Sequence, residues 1–319
     1  MLVKTGAFKG LRTTVTLLRM VIPVYLIVAL VGHTGAYLWI ASLFAPAMRI
    51  FGLPGEAVVP VITGFFSDEY SVVAAIGAFS FNQACITIIS VMVLCAHNIP
   101  VEVVIARKIG LSPWKVIIFR IATALIAGIV VAYMASVFIG GAPPAFFPGT
   151  EATSATASGS GGLDVELNFD LAWGVILPQM GLGILRTVLT IARVVIPMMI
   201  VIEIMLAYHI VQLIAKKLSS IRLLLGIGQD ALLPLIVGLM MGVTYGAGAI
   251  IELNRTQPLS KKDTTLLGIF LFSCHAILES TYLFTVAGAN IFIMTIARLA
   301  IAVCFTAVAA RFGIDMSAK

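Results

Sequence analysis

Apolar residues run in long stretches along this chain, at 20–47, 113–139, 188–215 and, with interruptions, 264–311. Each exceeds the roughly 20 residues an α-helix needs to cross a hydrocarbon core of about 30 Å. The pattern predicts an all-α polytopic membrane protein with roughly six to nine embedded segments. Composition agrees: 61% of the 319 residues are hydrophobic and 11% charged, with a mean hydropathy of +1.11. A soluble domain carries about a quarter charged residues. Soluble enzymes, nucleic-acid binders and disulfide scaffolds are excluded on this ground.

Charge changes the picture through its distribution. The net charge of +6 reads as topology, because basic loops stay cytoplasmic, so nucleic acid is no expected partner. Cys85, Cys95, Cys274 and Cys304 sit in apolar segments without CxxC spacing, which supports neither disulfides nor a zinc knuckle. Lys4, Lys9, Arg12 and Arg19 before an apolar run resemble a signal peptide, but an internal repeat argues against cleavage.

The repeat emerges at an offset of 174. Leu11-Arg12-Thr13 aligns with Leu185-Arg186-Thr187, Arg19 with Arg193, Pro23 with Pro197, Gly52 with Gly226, Pro60 with Pro234 and Gly64 with Gly238. After a four-residue insertion around 256–261 the offset becomes 178, matching Thr87 to Thr265, His97 to His275 and Arg120 to Arg298. Two units follow, at 10–139 and 172–312, joined by a flexible linker at 140–171. The linker carries Glu151, Asp164, Glu166 and Asp170 but no Lys or Arg. It is expected outside the cytoplasm and the basic N-terminus inside, so unit one crosses an odd number of times and unit two is inverted.

Each unit then holds about three transmembrane helices plus one re-entrant helical hairpin, near 53–79 and 227–252. This arrangement keeps Arg107, Lys108, Lys115, Lys216, Lys217, Arg222, Arg255, Lys261, Lys262, Arg311 and Lys319 inside, with Arg49 as the exception. Counting a hairpin as a full span would bring the acidic linker inside. Segments 10–19 and 172–187 are expected to lie along the interface. A multi-pass protein of the inner (plasma) membrane with both termini cytoplasmic results.

Inverted repeats with interrupted helices are a plan of secondary transporters, whose broken helices meet near the midplane. Irregular backbone at that depth must face protein or a water-filled cavity, so function is sought at the breaks. The first hairpin tip offers Thr63, Ser67, Asp68, Glu69 and Tyr70, and the second Thr244 and Tyr245. Intramembrane carboxylates mark functional sites; the alternative is a tip that reaches solvent. In Cys95-Ala96-His97-Asn98-Ile99-Pro100-Val101-Glu102, Pro100 predicts a local break, with Cys95, Asn98 and Glu102 on one face. In Cys274-His275-Ala276-Ile277-Leu278-Glu279-Ser280, His275 and Glu279 fall four apart on a common helical face. A histidine matched between units, each with a nearby carboxylate, is the most specific signal; its structural alternative is a helix cap. Glu203, with Ala29 opposite it in unit one, is a candidate coupling group or a buried pair. Gln83 is a candidate cavity residue, while Arg120 and Arg298 read as structural.

Gly52-Leu53-Pro54-Gly55-Glu56-Ala57, followed by Thr63-Gly64-Phe65, resembles the Gate, or nucleoside-recognition, domain, and Ala96–Glu102 is similar to a pattern in its stand-alone bacterial members. That family includes parts of concentrative nucleoside transporters, the membrane portion of B-type ferrous-iron permeases, and spore maturation proteins A and B. The resemblance implies solute contact by the tips at 63–71 and 238–246 and the breaks at 97–102 and 275–281. The chain lacks the extra scaffold helices of the nucleoside carriers, and has no GxxxxGK[ST] phosphate loop to draw energy from nucleotide.

Three functions compete. The first is a secondary transporter of a small polar solute, nucleoside-like solutes included, by alternating access with proton or sodium coupling. The second is a divalent Fe, Mn or Zn permease using Cys95, His97, Glu102, Cys274, His275 and Glu279, whose donors suit such ions. The third is a membrane partner or regulatory subunit without transport. No Ser/His/Asp or HExxH arrangement supports an enzyme, no cofactor is expected, and a homo-oligomer is.

Overall fold

The computed structural model describes residues 2–33, 36–141, 173–217, 220–256 and 259–318. Beyond residue 141, the expected linker lies outside the described residues. These residues form fifteen α-helices and no strand, the nearest to sheet being one antiparallel bridge between Leu111 and Ser317. Six segments are long and apolar enough to cross a membrane: Leu2–Ile27, Gln83–Lys108, Pro113–Phe138, Met180–Met205, Lys261–Val286 and Ile291–Phe312. The chain is a multi-pass, all-helical membrane protein.

Its longest helices are α1 (Leu2–His33) and α8 (Trp173–Ala207), the leading helices of the two sequence units. Both run without interruption, which corrects the expected interfacial segments at 10–19 and 172–187. Part of their polar character is met along the helix pair. Thr14 and Thr16 hydroxyls donate to the carbonyls of Gly10 and Arg12, and Lys9 Nζ meets Glu203 Oε2 at 2.6 Å. The two helices pack antiparallel, Gly6 against Ile200 and Gly10 against Ile196. A Cβ on Gly10 would stand 2.8 Å from the Ile196 Cα, so glycine sets the approach. In lipid, such van der Waals fit replaces the hydrophobic drive between helices. The apolar stretch at 20–47 is divided between α1 and α2 (Ala36–Arg49), and that at 188–215 between α8 and α9 (Ile210–Lys217). His209, with φ 52°, lies between the latter two.

Two short helix pairs follow these elements. The first is α3 (Val58–Phe66) and α4 (Glu69–Ile76), and the second α11 (Leu232–Met241) and α12 (Val243–Thr256), reached through α10 (Ile221–Leu225). The first reverses at Ser67-Asp68, where the Asp68 side chain caps α4 by accepting from Ser71 N. The second reverses at Gly242, whose φ of 104° a side chain would oppose.

Each pair packs against a broken helix. In unit one, α5 (Gln83–Ala96) and α6 (Ile99–Lys108) are separated at His97-Asn98; in unit two, α13 (Lys261–Ser273) and α14 (Ile277–Val286) at Cys274–Ala276. Positions matched in sequence adopt matched conformations. Asn98 and Ala276 are both left-handed, at φ 49° and 46°. The Asn98 amide donates to Gly64 O (2.9 Å) and Ser67 O (3.0 Å), and the Ala276 amide to Gly238 O (3.2 Å). Gly64 and Gly238 are themselves a matched pair. Pro100 sits in the first turn of α6, where its missing N–H costs nothing.

The closing helices α7 (Pro113–Phe138) and α15 (Ile291–Phe312) bury Arg120 and Arg298 completely. Two hydrophobic cores each draw on both halves. One joins α4, α5 and α7 to the ends of α14 and α15; the other joins α11, α12 and α13 to Ala106, Leu111 and Val116.

Candidate functional site

The left-handed residues turn the two matched histidines toward each other. His97 Nε2 and His275 Nε2 stand 3.3 Å apart, and Glu102 Oε1 lies 3.4 Å from the first and 3.5 Å from the second. All three residues are buried, and no other trio of metal-binding side chains converges so closely among the described residues. Two imidazole nitrogens and one carboxylate oxygen at such separations form a nearly equilateral triangle. An ion about 2.1 Å from each, the usual Zn–N or Zn–O length, would sit roughly 0.7 Å out of its plane with a coordination position open.

Neighbouring groups fix these side chains. Leu271 O lies 2.7 Å from His275 Nδ1; a carbonyl only accepts, so Nδ1 carries the proton and a neutral ring offers its Nε2 lone pair. Holding a metal-binding histidine by a backbone carbonyl on its far nitrogen is the usual outer-shell device. The matched Val93 carbonyl faces the His97 ring, but His97 Nδ1 makes no hydrogen bond of standard geometry. Arg120 bonds Glu102 through Nη1 to Oε2, leaving Oε1 facing the histidines. The same guanidinium donates from Nε to Cys95 O at 3.2 Å and lies over the Phe272 ring, 5.6 Å from its centroid. Arg298 donates to His275 O at 2.7 Å, while its Nε and Nη1 lack partners. The repeat is unequal here, because Ser280 occupies in unit two the position of Glu102 in unit one.

Ser280 instead joins a second polar group. Its hydroxyl donates to Glu69 Oε2 at 2.6 Å, and the Tyr70 hydroxyl donates to Glu279 Oε1. Two neighbours on α4 thus cross-bond two neighbours on α14. One turn farther along α4, Val73 and Ile76 line a cavity of about 750 Å³. Its wall includes Tyr25, Glu56, Ser80, Arg186, Thr187 and Thr190.

The structure therefore divides the sequence candidates. It unites His97, Glu102 and His275, and separately Glu69, Tyr70, Glu279 and Ser280. Asp68 is a helix cap, Thr63 donates to Val59 O within its own helix, and Ser67 donates to Ser71. Asn98 contributes its backbone turn, Gln83 is exposed, and Glu203 is paired with Lys9. The side chains of Thr244 and Tyr245 lie outside the described residues. Cys95 and Cys274 are buried beside the histidines, the Cys95 thiol facing Ser273 O at 3.7 Å, and neither joins the triangle.

The expected helix faces fail for one reason. The left-handed residue lies between the partners, so His275 and Glu279 point to different groups, as do Cys95 and Glu102. Arg120, read as structural, holds Glu102 of the triangle; its match with Arg298 carried the signal. The cavity residues Tyr25 and Arg186 were not singled out, since their helices meet only in the fold.

Comparison with known proteins bears on this geometry. Residues 14–112 match the Gate family, described as nucleoside recognition. The uncharacterized membrane protein YvoD of Bacillus subtilis is 31% identical over 301 residues, covering 94% of this chain and 91% of that protein. Fe(2+) transporters FeoB from Legionella pneumophila strains Paris and Philadelphia 1 are 34% identical over 74 residues, 23% of this chain and 10% of theirs. No solved structure matches.

Proposed function

Because this chain belongs to the Gate, or nucleoside-recognition, family and aligns with YvoD over nearly its whole length, we propose that it is a transporter whose solute is a divalent first-row metal ion. One observation carries this reading: the buried triangle of His97 Nε2, His275 Nε2 and Glu102 Oε1, with edges of 3.3–3.5 Å. Two histidines and a carboxylate with an open position suit Fe²⁺, Mn²⁺ or Zn²⁺. The Fe(2+)-transporter match over 74 residues points to the same class. This set differs from the sequence alternative in omitting Cys95, Cys274 and Glu279.

The transport cycle proposed is alternating access between two inverted units. Matched left-handed breaks, matched amide-to-glycine hydrogen bonds and the antiparallel pairing of α1 with α8 support the inversion. In it α3–α4 and α11–α12 are re-entrant hairpins, and both breaks meet near the midplane. The start of α1 packs at the end of α8, Gly226 meets Ala310 near the end of α15, and the tail at 316–318 bonds to 110–112. Lys4, Lys115, Lys216, Lys262 and Arg311 cluster at that end, which supports cytoplasmic termini in the inner membrane.

Purified protein loaded with Co²⁺, Zn²⁺ or Mn²⁺ and washed should retain about one ion per chain by elemental analysis. The ion is lost in His97→Ala and His275→Ala but not in Cys95→Ser or Cys274→Ser. Proteoliposomes should take up the same ion. Retention of metal by both histidine variants would refute the assignment. A second reading rests on the 750 Å³ cavity, which falls in the size range of small-molecule sites. There a small polar solute would bind and the triangle would hold its coupling cation; solute-dependent ion uptake distinguishes it.

A further inference from the structure

Along α4 three features follow in order. At its N-terminal end, Ser67 O accepts from the Asn98 amide, next to His97 of the triangle. Glu69 and Tyr70 come next, cross-bonded to Ser280 and Glu279. Val73 and Ile76, three to seven residues farther and on the same face, line the cavity. On α14 the order repeats: His275 and Ala276 lead the helix, Glu279 and Ser280 follow, and Ala287 beyond its end lines the cavity. The cavity and the triangle therefore lie at opposite ends of the contact between α4 and α14, and the four cross-bonded side chains occupy its middle.

We propose that Glu69, Tyr70, Glu279 and Ser280 form the gate through which ions pass from the cavity to the His97–Glu102–His275 site, opening when the two hydroxyls release the two carboxylates. The reciprocity gives this meaning. Each helix contributes one acid and one hydroxyl, and each hydroxyl serves the acid of the other helix. Separating α4 from α14 breaks both bonds at once, and the closed contact has few intermediate states. Tyr70 is 4% and Ser280 0% exposed, so the closed gate excludes water. The freed carboxylates face the path and suit a passing cation. Arg298 bears on the same step. It is fully buried with two unpartnered nitrogens, and it is matched to the arginine that holds Glu102, so it offers Glu69 an alternative partner once Ser280 lets go.

The gate rests on the triangle as the solute site, and its test separates the two. Cys95 and Cys274 are 0% exposed beside the histidines, so they report access without any metal. In a Cys85→Ser/Cys304→Ser background, the protein in vesicles is treated from the linker side with a membrane-impermeant methanethiosulfonate. Modification of Cys95 and Cys274 is followed by mass spectrometry, and Ser80→Cys in the cavity is the fast-labelling control. Tyr70→Phe and Ser280→Ala each remove one oxygen and little volume, and Glu279→Gln keeps its shape should either unfold. We expect buried-thiol labelling at least about tenfold faster in each variant, and Co²⁺ association to the triangle accelerated with its equilibrium affinity kept within about threefold. Unchanged labelling in all three variants would overturn the gate. Faster labelling without any Co²⁺ binding would keep the gate and remove the metal reading.

Discussion

Replacing Glu102 by Gln separates two roles that one carboxylate performs. Its Oε2 holds Arg120, and its Oε1 completes the triangle with His97 and His275. Gln is isosteric, so packing is kept while the charge is lost. Arg120 is fully buried, with Nη2 already unpartnered, and would become an uncompensated charge. Breaking one side of a buried pair costs about 3–5 kcal/mol, and the retained amide oxygen keeps this near about 3 kcal/mol. Adding Arg120→Met removes the stranded charge. The double variant should then return to within about 1 kcal/mol of the native protein, recovering about 2 kcal/mol of the single variant's loss. Metal affinity should not return, because in both variants an amide NH2 faces the histidines in place of a carboxylate oxygen; we expect a loss of about 100-fold, or about 2.8 kcal/mol. Denaturation in micelles gives the first pair of values and Co²⁺ titration the second. A single variant destabilised by less than about 1 kcal/mol, or a double variant binding Co²⁺ like the native protein, would refute this account of Glu102.

Gly10→Leu should lower stability by about 1–3 kcal/mol or more, read as loss of monodisperse protein on heating, because a Cβ there already meets Ile196 at 2.8 Å. Lys9→Glu should destabilise the α1–α8 pair by like-charge contact with Glu203, and Glu203→Lys should restore it; absence of rescue in thermal melts would show that the 2.6 Å pair contributes nothing. The C-terminal tail should be acid-sensitive. The Ser317 amide and hydroxyl hold the Asp315 carboxyl below its usual range. A depressed folded-state value stabilises the docked tail above the ordinary carboxylate range, and the effect is lost as pH falls through it. Hydrogen exchange at 314–318 should therefore rise at low pH, and Asp315→Asn should show that faster exchange already at neutral pH.

The breaks were legible to different degrees. Pro100 signalled the one in unit one, because proline removes a donor and obstructs the preceding turn. The one in unit two has no proline; it was reachable only through the match of His275 to His97. The reversal at 242 was marked by glycine, while that at 67–68 uses Asp68 as a cap, so an acid that resembled a solute ligand proved to be a backbone partner. Glu203 resembled an isolated intramembrane charge until α1 brought Lys9 to it.

By itself the sequence determined the solvent, the helical class and the matched pair of units, because hydropathy over some 20 residues and the order of Gly, Pro, Arg and His are local or additive properties. It also singled out a few acids and histidines as candidates. Only the tertiary structure decided which of them meet. A single left-handed residue, Asn98 or Ala276, redirects every side chain beyond it, and the pairing of residues about 178 apart depends on how two broken helices cross. His97 and His275 therefore face each other with Glu102, whereas Glu279, on the expected face of His275, meets Tyr70.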